Sequence, residues 1–298
     1  MAGNMGALSL VLRLGEKSIT IGGADTPYRL LSAGLDGVAG AEAALTTAEN
    51  AQLDGAYLLS CRVPGREITL EFEIADYVRR EALRAELISF FAPRSQGTLT
   101  VVRGRVSRTI GCMLYGCVSM TQETVYDYIR VRVPLYCPDP YFYADAEPRI
   151  LSRTGEAGLT FPLTLTEDVG VTAGVVTVSD TMALSNTGDA ETGFLLVLTA
   201  LETVDGEGAK IMNPCVTRLS DGAYIRIFGE MAAGDTVTIC TLPGAKYILW
   251  NGEKTMRFDG GSTFFSLEPG VTTLKLSSDE KTGHLEAVLS WRTKHFGV

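Results

Sequence analysis

The stretch REITLEFEI, Arg66–Ile74, decides the fold class. Ile68, Leu70, Phe72 and Ile74 alternate with Glu67, Thr69, Glu71 and Glu73, which is the period of an extended strand with one dry face and one wet face. The same alternation returns in YIRVRVPL, where Ile129, Val131, Val133 and Leu135 face one way and Arg130 and Arg132 the other. Pro134 cannot donate to a ladder, so it argues for an edge position or a bulge there. Alternation with one solvated face is the mark of antiparallel sheets.

One helix interrupts the strands of the first half. In DYVRREALRAELISFFAP, Leu83, Leu87, Phe90 and Phe91 recur at i, i+4, i+7 and i+8, Asp76 is placed to cap the start, and Pro93 stops the segment. The second half reads as short strands (TFPLTL, FLLVLTA, AYIRIF, DTVTICT, KYILW, TMRF, FFSL, TTLKL, LEAVLSW) separated by the turn pairs Asp221-Gly222, Gly234-Asp235, Asn251-Gly252 and Pro269-Gly270. Many short strands at near-regular spacing predict a sandwich or jelly roll. The fold class expected is mainly β, with one packed helix in the first half.

At 298 residues the chain is long enough for two domains, each with its own core. The stretch CPDPYFYAD, Cys137–Asp145, lies near the middle. Each Pro pushes its preceding residue toward extended geometry, so Pro138, Asp139, Pro140, Tyr141 and Phe142 are expected to form a stiff joint between residues 1–140 and 141–298.

The search for chemistry finds none. There is no GxSxG, GxxxxGK[ST], HExxH or strand-linked GxGxxG, so no catalytic, cofactor-binding or metal-binding residue is assigned. The six cysteines form no CxxC pair, and both histidines, His284 and His295, fall in the C-terminal tail; the cysteines are expected to be reduced and mostly buried. No apolar run approaches the roughly 18 residues of a membrane span, and the first residues lack the pattern of a secretory signal. The expectation is synthesis in the cytoplasm and no membrane partner. The net charge of −9 is uneven: Thr154–Ala209 carries nine acidic residues and no Lys or Arg. Solvated loops explain this run, and it disfavours direct nucleic-acid binding, which needs a basic stripe.

The succession PYRLLSAGLDG, LDGAYLLSCRVPGREITLEFEI, RREALRAELISFFAPRSQGTLTVV and CPDPYF resembles the N-terminal domain of siphophage distal tail (Dit) proteins. The second half continues the resemblance in SNTGDAETGFLLVL, Asn213-Pro214, GDTVTICTLPGAKYILWNG, STFFSLEPGVTTLKL and a last strand ending in GV. The resemblance implies a tail-tube-like N-terminal β-sandwich with a helix and a galectin-like or jelly-roll C-terminal sandwich. It further implies a structural protein of the virion, a homohexameric ring joining the tail tube to the tip hub or baseplate and the receptor-binding parts. Two other readings are a tail-tube subunit, which the long second half disfavours, and a carbohydrate-binding module stacking sugars on Tyr143, Tyr224, Trp250 or Phe264.

The resemblance also bears on Leu35–Tyr57, which is too long for an ordinary connection in a compact domain. Ala41, Leu45 and Ala48 repeat at i, i+4 and i+7, so a surface helix is one reading. The resemblance implies instead an extended arm laid on a neighbouring subunit or tube ring. Gly37, Gly40 and Gly55 provide its bends and Leu53 an anchor, with Leu45, Asp54 and Arg66 completing the expected interface.

Overall fold

The structure, a computed structural model, describes residues 8–50, 52, 54–124, 126–144, 149–153, 180–201, 210–280 and 284–298. The chain forms two compact units. The first comprises Met1–Asp145 together with Lys294–Val298, and the second Ala146–Thr293. This division falls later than Tyr141 and returns the last residues of the chain to the first unit, for reasons given below.

In the first unit a sheet runs in the order Lys17–Ile21, Leu8–Leu14, Gln96–Arg103, Val106–Leu114, Ile129–Cys137, Arg66–Ile74 and Tyr28–Asp36. Arg66–Ile74 and Ile129–Cys137 pair antiparallel over their whole length, in a register that sets Ile129 opposite Ile74, Val131 opposite Phe72, Val133 opposite Leu70 and Leu135 opposite Ile68. Both strands therefore turn their apolar residues to the same side, where all eight are buried. The opposite face sets Arg130 across from Glu73 and Arg132 across from Glu71, so the wet face is charge-matched as well.

Val106–Leu114 meets Ile129–Cys137 only through Leu114–Leu135 and Met113–Tyr136. The sheet is joined at this corner, and Leu10, Leu12, Leu99 and Ile110 from one side share a single core with Ile68, Leu70, Phe72, Val131 and Val133 from the other. Pro134 is not on an edge strand. On the side away from Arg66–Ile74 its strand is paired by Ser119–Thr121 at residues 130–132 and by Val106–Leu114 at 135–136. Pro134 falls in the gap between the two, where no N–H is required.

The helix spans Arg80–Phe90 and buries Leu83, Leu87 and Phe90, with Phe91 buried just beyond. Asp76 does not cap it. The residue before the helix is Arg79, which makes no side-chain cap; Asp76 lies a turn earlier, where its carboxylate accepts the Arg79 N–H at 3.0 Å and the Arg79 side chain at 2.7 Å. An Asp that satisfies its own local turn competes with the helix for the same donors.

The second unit has two main sheets. One runs Arg149–Arg153, Leu285–Trp291, Phe194–Ala200, Thr236–Cys240, Tyr247–Trp250 and Glu253–Lys254; the other runs Thr181–Asn186, Gly270–Ser277, Cys215–Arg218 and Tyr224–Arg226. Leu196, Leu198, Ile239 and Leu289 of the first and Leu184, Val216, Leu274 and Leu276 of the second meet in one core. The Asn251-Gly252 pair makes the expected tight turn, both residues having positive φ (47° and 85°). TMRF and FFSL are not strands; each contributes an isolated bridge, Ile227 with Phe258 and Thr192 with Leu267. TFPLTL lies outside the described residues, as does most of the acidic segment 154–209.

Of the six cysteines, Cys112, Cys137 and Cys240 are buried, Cys215 is intermediate, and Cys61 and Cys117 are exposed, all of them free. The expectation that most are buried therefore holds for only half of them. Burial pushes the Cys112 and Cys137 thiols up to about 12, which keeps them protonated and inert.

Candidate assembly interface

The segment after Tyr28–Asp36 forms a two-stranded hairpin, Ala44–Glu49 with Ala56–Arg62, which among the described residues pairs with no other strand. The surface helix allowed by the Ala41, Leu45, Ala48 spacing is not formed. Leu45 opposes Cys61 and Thr47 opposes Leu58, with a register shift between Thr46 and Thr47. Directly opposed residues share a face, so Leu45, Leu58 and Cys61 lie on one side of the hairpin, while Thr46, Ser60 and Tyr57 lie on the other. Every residue of Ala56–Arg62 is exposed. Leu45, Leu58 and Leu59 are 62%, 60% and 64% exposed, values that belong to an element whose apolar side has nothing to cover it.

The root of this arm is held firmly. Gly37 adopts φ 81°, and a Cβ there would lie 2.1 Å from the Glu67 carbonyl oxygen, so only glycine lets the chain leave the sheet edge at this point. Arg66 is buried beside it. Its guanidinium donates to the Gly37 carbonyl at 3.2 Å and to the Phe296 carbonyl at 2.6 Å, and lies 5.2 Å from the centre of the Phe142 ring. Desolvation lowers the Arg66 pKa from its ordinary value. A cation taken out of water needs such acceptor partners, and Arg66 finds them on the arm root and the C-terminal tail.

That tail is the second surprise of the site. Lys294–His295 pairs with Phe142–Ala144, which in turn pairs with Val106–Leu114. Arg108 donates to the Gly297 carbonyl, the Val298 N–H donates to the Val38 carbonyl at 3.1 Å, and a Cβ on Gly297 would lie 2.4 Å from the Ala39 carbonyl oxygen. The end of the chain is thus threaded under residues 37–39. Three side chains, Arg66, Arg108 and Phe142, and the carbonyls of Gly37, Val38, Phe296 and Gly297 meet here from far apart in sequence, and none of them carries a local pattern that announces it.

The residues predicted for the joint belong to the first unit. Pro140 and Phe142 are buried, and Tyr141 is half-buried. Asp139 accepts the Tyr141 N–H at 3.2 Å and the Tyr143 hydroxyl at 2.5 Å. Tyr141 lies 6.0 Å from the Phe296 ring and 4.9 Å from the Lys294 ammonium. Pro138 and Asp139 are exposed.

Gly37 and Arg66 therefore meet at the arm root; Gly40 lies exposed between the root and the hairpin, Leu45 on its apolar face, and Asp54 and Gly55 at its tip. Leu53 lies outside the described residues. Sequence reading missed Leu58, Leu59, Val38, Arg108 and the tail residues Phe296–Val298. The run Tyr57-Leu58-Leu59 was open to notice as a large apolar group next to a glycine turn.

Among the described residues no group of three or more His, Cys, Asp and Glu side chains is placed to hold a metal ion. Tyr143, Tyr224, Trp250 and Phe264 are all half-buried. Tyr224 donates to Asp259 at 2.7 Å, Trp250 and Phe264 pack on the core of the second unit, and Phe264 meets Phe258 edge-on. These rings serve the protein interior before they could serve a sugar.

The molecule is thus a two-unit, strand-built protein whose distinctive surface is an extended arm. Residues 188–295 match the SPP1 Dit family model, described as the siphovirus-type tail component, C-terminal domain. The matched residues lie almost wholly within the second unit. The crystal structure of SPP1 Dit, described as a paradigm of the hub adsorption apparatus in phages infecting Gram-positive bacteria, has the same fold: TM-score 0.62 and 16% identity over 89% of this chain and 93% of that one. A chain of the phage P2 baseplate in its activated conformation with Ca also aligns, over 98% of this chain and 99% of that one, at 11% identity and TM-score 0.48. No curated protein matches the chain in sequence.

Proposed function

We propose that the protein is a distal tail protein, a structural ring of a siphovirus-type virion that joins the tail tube to the tip hub or baseplate and to the receptor-binding parts. The observation that carries this reading is the match of residues 188–295 to the tail-component domain. The whole-chain fold shared with SPP1 Dit agrees with it. The exposed arm supplies what a ring subunit requires, a surface whose apolar side is completed by another chain. Cyclic symmetry repeats one such contact around a closed circle, and a homohexamer is the expected closure.

In this reading the protein works by binding alone, with no cofactor and no turnover. Residues 137–144 have a mechanical role, setting the direction in which the chain leaves the first unit. Native mass spectrometry and negative-stain imaging of the purified protein test the proposal. Closed rings of one copy number are expected; a monomer at every concentration, with and without tail-tube protein, overturns it.

A further inference from the structure

A cleft of about 650 Å³ opens on the first unit between the end of the helix and the chain that follows Val106–Leu114. Ile88, Phe91, Val118 and Met120 make its apolar floor, and Arg84 and Arg94 are its charged lining residues. Both arginines are exposed, and neither makes an ion pair among the described residues. Ile88 is 55% exposed although it stands on a helix whose other large apolar residues, Leu83, Leu87 and Phe90, are buried.

The hairpin arm is the complement of this cleft in each respect. It offers Leu45 and Leu58 on one face, and its acidic residues Glu49 and Asp54 cluster at the tip, with Glu42 just before the first strand. A two-stranded hairpin is marginal by itself in water and needs a surface to lie on. Among the described residues none covers the hairpin face or the mouth of the cleft at Ile88, and a second copy supplies both missing surfaces at once. We propose that the cleft lined by Ile88, Phe91, Val118 and Met120 receives the apolar face of the hairpin from a second copy of this chain, with Arg84 and Arg94 meeting the acidic tip.

The two surfaces share no residue, so the contact is head-to-tail: each copy gives an arm on one side and takes an arm on the other. Apolar burial supplies the affinity, and the opposed charges set register and exclude the reverse docking. The inference rests on the ring reading and names the surfaces that close the ring.

Two variants of the full chain test it, Leu58→Asp, which spoils the hairpin and leaves the cleft, and Ile88→Asp, which spoils the cleft and leaves the hairpin. Both residues are exposed, so unchanged circular dichroism and thermal midpoint are expected for each. Each variant alone is expected to stay monomeric under conditions in which wild type forms rings. Mixed together they are expected to give a 1:1 heterodimer and nothing larger, because one intact hairpin meets one intact cleft. Rings from either variant alone, or a mixture that stays monomeric while wild type assembles, overturn the proposal and leave the ring reading standing. A cleft whose exposed Cys117 becomes protected from maleimide only when tail-tube protein is added assigns the cleft to that protein and overturns the proposal. Wild type that never assembles overturns both.

Discussion

Two antiparallel pairs in the same unit behave in opposite ways. Arg66–Ile74 with Ile129–Cys137 buries a continuous apolar face, whereas Ala44–Glu49 with Ala56–Arg62 leaves its Leu residues in solvent. The backbone bonding is of the same kind in both. What separates them is the next layer: the first pair has the helix and the rest of the sheet over its dry face, and the second has nothing over it among the described residues. A strand pair therefore becomes core or interface according to what is packed on it, and an apolar face with no internal cover is a request for a partner.

The comparison breaks most sharply at Phe72, which is 0% exposed and in edge-to-face contact with Tyr28. Phe72→Ala is expected to cost about 3–5 kcal/mol of folding stability, read by urea unfolding of the first unit, since a large buried ring leaves a cavity. Leu58→Ala, the matched change on the hairpin, is expected to stay within about 0.5 kcal/mol in the monomer. Comparable losses at both positions would show that the hairpin is covered in the free chain after all.

Ending the chain after Thr293 gives the next largest effect. It removes the Phe296 and Gly297 carbonyls from Arg66 and Arg108 and the Val298 N–H from Val38. Leaving a buried guanidinium short of acceptors costs on the order of 2–3 kcal/mol. The loss is expected in the first unit alone, with faster hydrogen exchange at Gly37–Ala39 and no change in the strands of the second unit. Exchange that accelerates equally in both units would show that the tail does not specifically hold the arm root.

The smallest effect expected concerns Tyr28, on the strand next to Arg66–Ile74. Its hydroxyl is buried without a hydrogen-bond partner among the described residues. Burial, with a smaller contribution from Glu86 and against Arg79, pushes its pKa up to about 12. The folded state thus favours the neutral phenol: its contribution is intact below pH 10, the unfolded value, and falls away as the pH rises from 10 through about 12. Tyr28→Phe removes an unsatisfied polar atom from the interior and is expected to be neutral or to stabilise by up to about 1 kcal/mol at pH 7. The gain should widen between pH 10 and 12 in thermal unfolding. A destabilisation at pH 7 would mean that the hydroxyl has a partner, such as a bound water.

The sequence by itself determined the strands of the central pair, because alternation is a local property: REITLEFEI and IRVRV each state which side faces inward, and a slip of one residue would turn every apolar side chain outward. It also determined the helix, whose i, i+4, i+7, i+8 pattern names the four residues that are buried. The sandwich of the second unit was legible for the same reason, in strands bounded by glycine turns. The start of the helix and the place of Pro134 were not, since each depends on which neighbour supplies or needs a hydrogen bond. The reading of Ala41, Leu45 and Ala48 as a helical stripe was undone by pairing with Ala56–Arg62, because a short alanine-rich run has no strong preference of its own. Only the tertiary structure decided the fate of Arg66, which alternation sets in line with the buried residues of its strand but whose partner, the Phe296 carbonyl, lies 230 residues further along. Periodicity carries information over a turn or a pleat. Contacts that close a chain on its own end are set by packing and by the satisfaction of buried polar groups, and these exist only once the layers have formed.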